Sequence, residues 1–436
     1  MREDGKIKVV WLCTFSNYKI RDTIQFSKTY YKYLVSKVLK RPKPIVRDRC
    51  VWVTNAIQEF EGYDDVDLTV VFPYWGIKGK LQLFDIKNIH YICFKSEDDN
   101  LIDYYRIHRN GYVKKNWTKN RRIISEIISR VNPDLIHIIG AENPNYSIAA
   151  LDIPSSIPCV ISLQTLMSAP DFRSNYPISD ALYKYRSELE KQIIRRSDYI
   201  ATQNEIFISI IKRSIKPDAL FLRMILAIGE NVNIDYDTKD YDFVYFAADI
   251  IKASDYAIEA FALACKHYPR LTLNISGGYS QGYKSQLDKR IQELGIKDNV
   301  FFTGPKETHE AVLQQIKKSR FALLPLKVDL ISSTIREAMA CGLPVVTTIT
   351  PETPELNRNR ESILLSEKDD YASMAENMIK LLDSEEYALQ IRENAIKTIQ
   401  ETYNTKRFMQ NWRIGYSEIL RHFKYGTPFS DDILIK

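Results

Sequence analysis

The chain alternates short, unbroken apolar runs with longer stretches in which apolar residues return every three or four positions. The runs at 7–13 (IKVVWLC), 66–72, 89–94, 134–140, 158–164 and 198–202 predict strands, because a strand covered on both faces is apolar throughout. The stretches 117–131 and 181–196 predict amphipathic helices between them. Such a βα alternation implies a parallel sheet with helices on both faces, an α/β protein.

The polar, acidic stretch 229–242 (GENVNIDYDTKDYD) interrupts this pattern and marks a hinge. The alternation then restarts, with strands expected at 243–247, 271–278, 299–304, 321–326, 344–348 and 361–365. Helices are expected at 255–267, 283–294, 308–318 and 334–341. Three long amphipathic helices, about 371–383, 385–403 and 406–424, are expected to close the chain without another strand. The reading is therefore two doubly wound, Rossmann-like domains: 1–228, then the linker 229–242, then 243–405, with 406–436 crossing back to the first domain.

A length of 436 residues with 45% apolar and 27% charged positions suits two ordinary globular cores and excludes disordered or collagen-like classes. No run of eighteen apolar residues is present and the first apolar run is too short for a secretion signal, so the expected location is cytoplasmic. The six cysteines stand singly, and the six histidines show no metal-ligand spacing, so reduced core thiols and no metal site are expected. Neither a P-loop nor a G-x-G-x-x-G is present.

The segment Thr334–Thr348, TIREAMACGLPVVTT, reads as a short helix, a turn and a strand, with Glu337 near the start of the helix. In an open parallel sheet, ligands gather at the C-terminal strand edges, where helix amides point into the crevice. Two uses of Glu337 compete: a capping box with Thr334 at the N-cap, or a hold on a ligand. A carboxylate only accepts hydrogen bonds, so it suits a pair of neighbouring hydroxyls.

The spacing Asp329-x7-Glu337 followed by AMACGLPVVTT resembles the signature of the retaining glycosyltransferases of family four, as in bacterial capsule and O-antigen group 1 enzymes. LTLNISGG, VFFTG and ETYNTKRFMQNWRIGYSEIL fall in the family's order. The resemblance implies the GT-B fold, two Rossmann-like domains facing each other across a cleft, and sugar transfer from a nucleotide-sugar with retention of configuration. It implies that Glu337 holds the donor ribose and Asp329 lies beside the sugar. The amides near Ser332, Ser333 and Thr334, with Lys252, would hold the diphosphate, Gly304 and Pro305 would line the base, and Arg223 would be a reserve cation. The acceptor would meet Ser16, Asn17, Glu142, Asn143 and Gln164; Gln164 stands where many relatives have histidine and cannot serve as a base. No cofactor is implied beyond the co-substrate, for which a UDP-sugar is favoured, and the acceptor would be a glycan or a lipid-pyrophosphate-linked chain.

Two departures qualify this. Asp replaces the family's Glu at 329, and the stretch AADIIKASDY carries Asp249, Ser254 and Asp255 where relatives place an Arg and a Lys-Gly. Loss of a cation there weakens the hold on a leaving diphosphate. The alternative is thus a catalytically impaired protein of the same fold that partners or chaperones an active transferase; an epimerase is a third reading, for which no extra acid-base set is visible.

Residues 18–49 carry ten Lys/Arg against two Asp, a net +8 in a chain of net +6. Within them, Ile24, Tyr31, Leu34, Val35 and Val38 share a helical face with Lys28, Lys32, Lys37 and Lys40 around the other. A helix packed on its sheet is one expectation, and contact with an anionic membrane surface or a lipid-pyrophosphate acceptor is the other. No stacking platform or helix-turn-helix accompanies the charge, so no nucleic-acid partner is expected.

Overall fold

The computed structural model describes residues 5–40, 46–110, 113–114, 116–169, 172, 178–224, 239–246, 253–327, 332–350 and 352–435, the side chains of 104, 107–110 and 281 excepted. The chain divides into two units, residues 1–227 with 405–436 and residues 228–404. Asp249, Lys252, Asp329 and most of the stretch 229–242 lie outside the described residues.

The first unit is built on β1 (Ile7–Leu12), β2 (Val66–Tyr74), β3 (Leu81–Ile86), β4 (Ile89–Lys95), β5 (Leu135–Ile139), β6 (Cys159–Ser162), β7 (Tyr199–Ala201) and β8 (Leu220–Leu222). With a terminal strand, Leu434–Ile435, they form one sheet in the order terminal strand, β8, β7, β6, β5, β1, β2, β4, β3. Strands β1, β2 and β4 to β8 run parallel, with Val9 opposite Leu68 on one side and Leu135 on the other. The order reverses at β1, so the crevice at the C-terminal ends of β1 and β5 is this unit's switch point.

Three expectations are corrected here. β3 forms an antiparallel hairpin with β4, and the terminal strand pairs antiparallel with β8, so the chain does end on another strand. The basic segment is not one packed helix: Tyr18–Thr23 and Tyr31–Val38 are separate helices. Between them, Ser27 N–H donates to Gly76 O and Lys78 N–H to Gln25 O, both at 2.8 Å, so pairing with the loop after β2 overrides the helical pattern. The apolar face of Tyr31–Val38 is left in water, with Leu34 49% and Val38 80% exposed.

The last helix, Thr405–Tyr425, belongs to this unit and packs on the helix Val51–Phe60. Trp412 and Trp11 meet edge to face at 5.2 Å, and Gly415 admits Met224, whose Sδ would lie 2.9 Å from an added Cβ. No described helix is long and apolar enough to cross a membrane.

The second unit is built on β9 (Tyr241–Phe246), β10 (Leu273–Ser276), β11 (Val300–Phe302), β12 (Ser319–Leu323), β13 (Val345–Thr348) and β14 (Leu364–Ser366). All described pairings are parallel, in the order β11, β10, β9, β12, β13, β14, the doubly wound order of a Rossmann fold. The switch point lies between β9 and β12, at the starts of the helices Ser254–Cys265 and Ser333–Ala340. One apolar core fills this unit, from Phe243 and Val244 on β9 to Ile391 and Ile399 on the helix Glu385–Thr402.

Candidate active site

At the switch point of the second unit, β12 is prolonged by an extended stretch whose position is fixed by β13. Leu324 N–H donates to Val346 O, and Thr348 Oγ1 both accepts from Leu326 N–H and donates to Leu326 O, each at 2.8 Å. The helix that follows begins two residues earlier than a capping box on Thr334 requires. Ser332 is the N-cap, its hydroxyl accepting from Thr334 N–H at 3.3 Å and lying 2.6 Å from Thr334 Oγ1. Glu337 is therefore the fifth helical residue, too far along to reach back to the cap, and the capping reading is overturned.

Glu337 is nevertheless buried, 8% exposed, as are Ile335, Ala338 and Met339 of the same helix. Burying a carboxylate is expensive unless something compensates it. His309 faces it from the helix His309–Ile316, Nε2 to Oε1 at 3.8 Å, too long for a hydrogen bond. Among the described residues no donor is hydrogen-bonded to the Glu337 carboxylate, which leaves its lone pairs for a ligand. Gly304 and Pro305 lie in the loop that leads from β11 to His309. Gly304 takes the left-handed φ of +68° and borders open space.

Across the switch point, Ser254 is fully buried, its hydroxyl 2.9 Å from that of Tyr283, and Ala253 ahead of it holds φ at +56°. Asp255 accepts from Lys327 Nζ at 2.6 Å, and the same ammonium lies 4.6 Å from the Tyr256 ring centre. His309 and Lys327 were not singled out in the sequence, because each earns its place through a partner 28 or 72 positions away.

In the first unit, the loops after β1, β5 and β6 carry Ser16 and Asn17, Glu142 and Asn143, and Gln164. The first two are engaged by the fold. Ser16 is fully buried with its hydroxyl 2.8 Å from that of Tyr74, and Asn17 caps Tyr18–Thr23 by accepting from Ile20 N–H at 2.9 Å. Glu142 is different. Its carboxylate folds over Gly140, where an added Cβ would stand 2.7 Å from both oxygens, and it takes one hydrogen bond from Asn143 Nδ2 at 2.9 Å. Oε2 is buried and has no partner among the described residues, and burial raises the carboxyl's pKa.

Gln164 lies on a loop clamped from behind by Glu190, which the sequence reading missed. This fully buried carboxylate accepts from Met167 N–H, Ser168 N–H and Ser168 Oγ, each at 2.9 Å, and burial pushes its pKa up to about 7. Its only sequence signal is a charge in the apolar stripe Leu189, Ile193, Ile194. Arg223 follows β8 in the first unit, its N–H donating to Ile433 O at 2.7 Å. Among the described residues no three His, Cys, Asp or Glu side chains stand close enough to hold a metal ion.

Comparison with known proteins adds to this geometry. Residues 235–398, the segment that holds Glu337, match the family described as glycosyl transferases group 1. The chain is 23% identical to N-acetyl-alpha-D-glucosaminyl L-malate synthase of Bacillus anthracis over 317 residues, 70% of this chain and 79% of that protein. Among solved structures, sucrose-phosphate synthase of Thermosynechococcus elongatus superposes with a TM-score of 0.70 at 13% identity, covering 94% of this chain and 99% of that one. HepE of Anabaena, solved with UDP and glucose, superposes with a TM-score of 0.62 at 13% identity, covering 94% and 100%. The fold is GT-B, with two Rossmann-like domains.

Proposed function

We propose that this chain is a glycosyltransferase that moves a sugar from a nucleotide-sugar to a glycan or lipid-linked acceptor with retention of configuration. The observation that carries this reading is Glu337: a buried carboxylate at the switch point, freed of any capping duty and without a hydrogen-bond donor among the described residues. It holds the donor's two ribose hydroxyls. The diphosphate is assigned to the N–H groups near Ser332, Ser333 and Thr334 together with Lys252, the sugar to Asp329, and the base to Gly304 and Pro305. The match of residues 235–398 to group 1 glycosyl transferases supports the reaction class, and the UDP in the Anabaena structure supports a UDP-sugar.

The acceptor meets Glu142, Asn143 and Gln164 at the switch point of the first unit, where Glu142 Oε2 offers an unused lone pair. Retention makes the leaving phosphate the group that assists removal of the acceptor's proton, so no side chain here is cast as nucleophile. The protein works at the inner face of the membrane, the exposed Leu34, Val38 and Leu39 entering the lipid surface while Lys28, Lys32, Lys37 and Lys40 meet its anionic headgroups.

A second reading, an impaired partner of an active transferase, draws on one observation: Ser254 and Asp255 present a buried hydroxyl and an anion at the first turn of Ser254–Cys265. Nucleotide release from UDP-, GDP- and dTDP-sugars without acceptor separates the two. Slow release from one donor, abolished in Glu337→Gln, is the enzyme's result. No release, with no nucleotide raising the melting temperature, is the partner's.

A further inference from the structure

We infer that Lys327 supplies a cation for the leaving diphosphate, reaching across the switch point from the β12 side to stand over the first turn of the helix that follows β9. This inference rests on the nucleotide-sugar reading above and names a group that makes it work.

A nucleoside diphosphate carries at least two negative charges as it departs, and charge held in place before the reaction is the most effective kind of stabilisation. The first turn of Ser254–Cys265 gives none from its own side chains, since Ser254 is buried against Tyr283 and Asp255 is an anion. Lys327 fills that gap. Its backbone follows directly on Leu326, which Thr348 grips through both N–H and C=O at 2.8 Å. The stem thus starts from a fixed point beside the site.

The ammonium is also fixed at its other end. Asp255 Oδ2 lies 2.6 Å from Nζ and the Tyr256 ring lies 4.6 Å away, which takes up much of the rotamer freedom a lysine otherwise loses on binding. An ammonium has three donors, and one is spent on Asp255 among the described residues. The side chain remains 26% exposed, so the others can be reached by a ligand. Asp255, which by charge alone argues against a phosphate site, becomes the holder of the cation. It is a positioning residue, and its Oδ1, buried without a described partner, has no second task.

The test is calorimetric titration of UDP, GDP and dTDP, each beside its own nucleoside, into wild type, Lys327→Met and Lys327→Arg. Lys327→Met is expected to weaken the preferred diphosphate roughly ten- to a hundredfold, as loss of a charge-assisted contact does. Its affinity for the nucleoside stays at the wild-type value, and Lys327→Arg recovers most of the loss. If Lys327→Met melts early, Lys327→Gln repeats the comparison with a neutral donor. The inference is overturned if the neutral variants bind the diphosphate as wild type does. It is equally overturned if diphosphate and nucleoside weaken alike, the mark of a strap that only shapes the loop. A wild type that binds no diphosphate removes the nucleotide-sugar reading itself, and this inference with it.

Discussion

The indole N–H of Trp11 donates to the hydroxyl of Tyr416 at 2.8 Å, joining the first strand to the last helix across 405 positions. Tyr416 O–H in turn lies 2.7 Å from His137 Nδ1, and His137 Nε2 lies 2.7 Å from Ser162 Oγ. Burial holds this imidazole neutral, its pKa pushed down to about 3. The Tyr416 hydroxyl already accepts from Trp11, so its own O–H donates to Nδ1, which leaves Nε2–H to donate to Ser162. Every member of the chain is satisfied only while Tyr416 is present. Tyr416→Phe strands both the Trp11 N–H and His137 Nδ1, and is expected to cost about 2–4 kcal/mol in urea unfolding of the intact chain.

Glu190 makes stability depend on pH. Its folded pKa is raised from 4.5 to about 7, so between those values the folded state binds a proton that the unfolded state does not. Stability from this group is therefore highest below about pH 4.5, falls as pH rises toward 7 and is level above, the full span being at most about 3 kcal/mol. His137 slopes the opposite way, its folded pKa being depressed, so the readout is the difference from wild type. Glu190→Gln, unfolded in denaturant at pH 5 and pH 7.5, should lose less stability over that interval than wild type does.

Gly140 holds φ at +89° with both Glu142 oxygens 2.7 Å from where a Cβ would stand. Gly140→Ala must adopt a left-handed backbone and also displace the carboxylate, at a cost of about 1–3 kcal/mol. Acceptor-dependent transfer should fall while donor binding to the second unit is unchanged. Equal affinity for the nucleoside diphosphate in both proteins, with a raised KM for acceptor, is the expected pair of results.

All six cysteines are unpaired; burial pushes the pKa of Cys50, Cys93, Cys159, Cys265 and Cys341 up to about 12 and that of Cys13 well above its ordinary value. Thiolate is then scarce at pH 8. A disulfide reagent such as DTNB should label the native protein slowly, and rapidly once denaturant unfolds it.

The parallel strands were legible in the sequence because burial on both faces leaves mostly apolar residues between, as in Val66–Tyr74 or Leu135–Ile139. The hairpin strand Leu81–Ile86 was not, since it lies at the sheet edge and alternates exposed and part-buried positions. Ser332, Ser333 and Thr334 offer three hydroxyls as caps, and the grip of Thr348 on Leu326 precedes the choice of Ser332. No local pattern encodes that. The basic helix failed for a similar reason, because the pairing of Phe26 with Ile77 interrupts what periodicity alone would continue. Glu337 stands out in the sequence by its family-like spacing, whereas His309, Lys327 and Glu190 are placed by contacts that no short window contains.

The claim at the centre is that the Glu337 carboxylate holds the donor's ribose. Calorimetric binding of UDP and of 2′,3′-dideoxy-UDP to wild type and to Glu337→Gln tests it by a cycle in which protein and ligand each lose one side of the contact. Wild type is expected to prefer UDP by about tenfold or more, and Glu337→Gln to lose most of that preference. A variant that discriminates between the two ligands as sharply as wild type would contradict it.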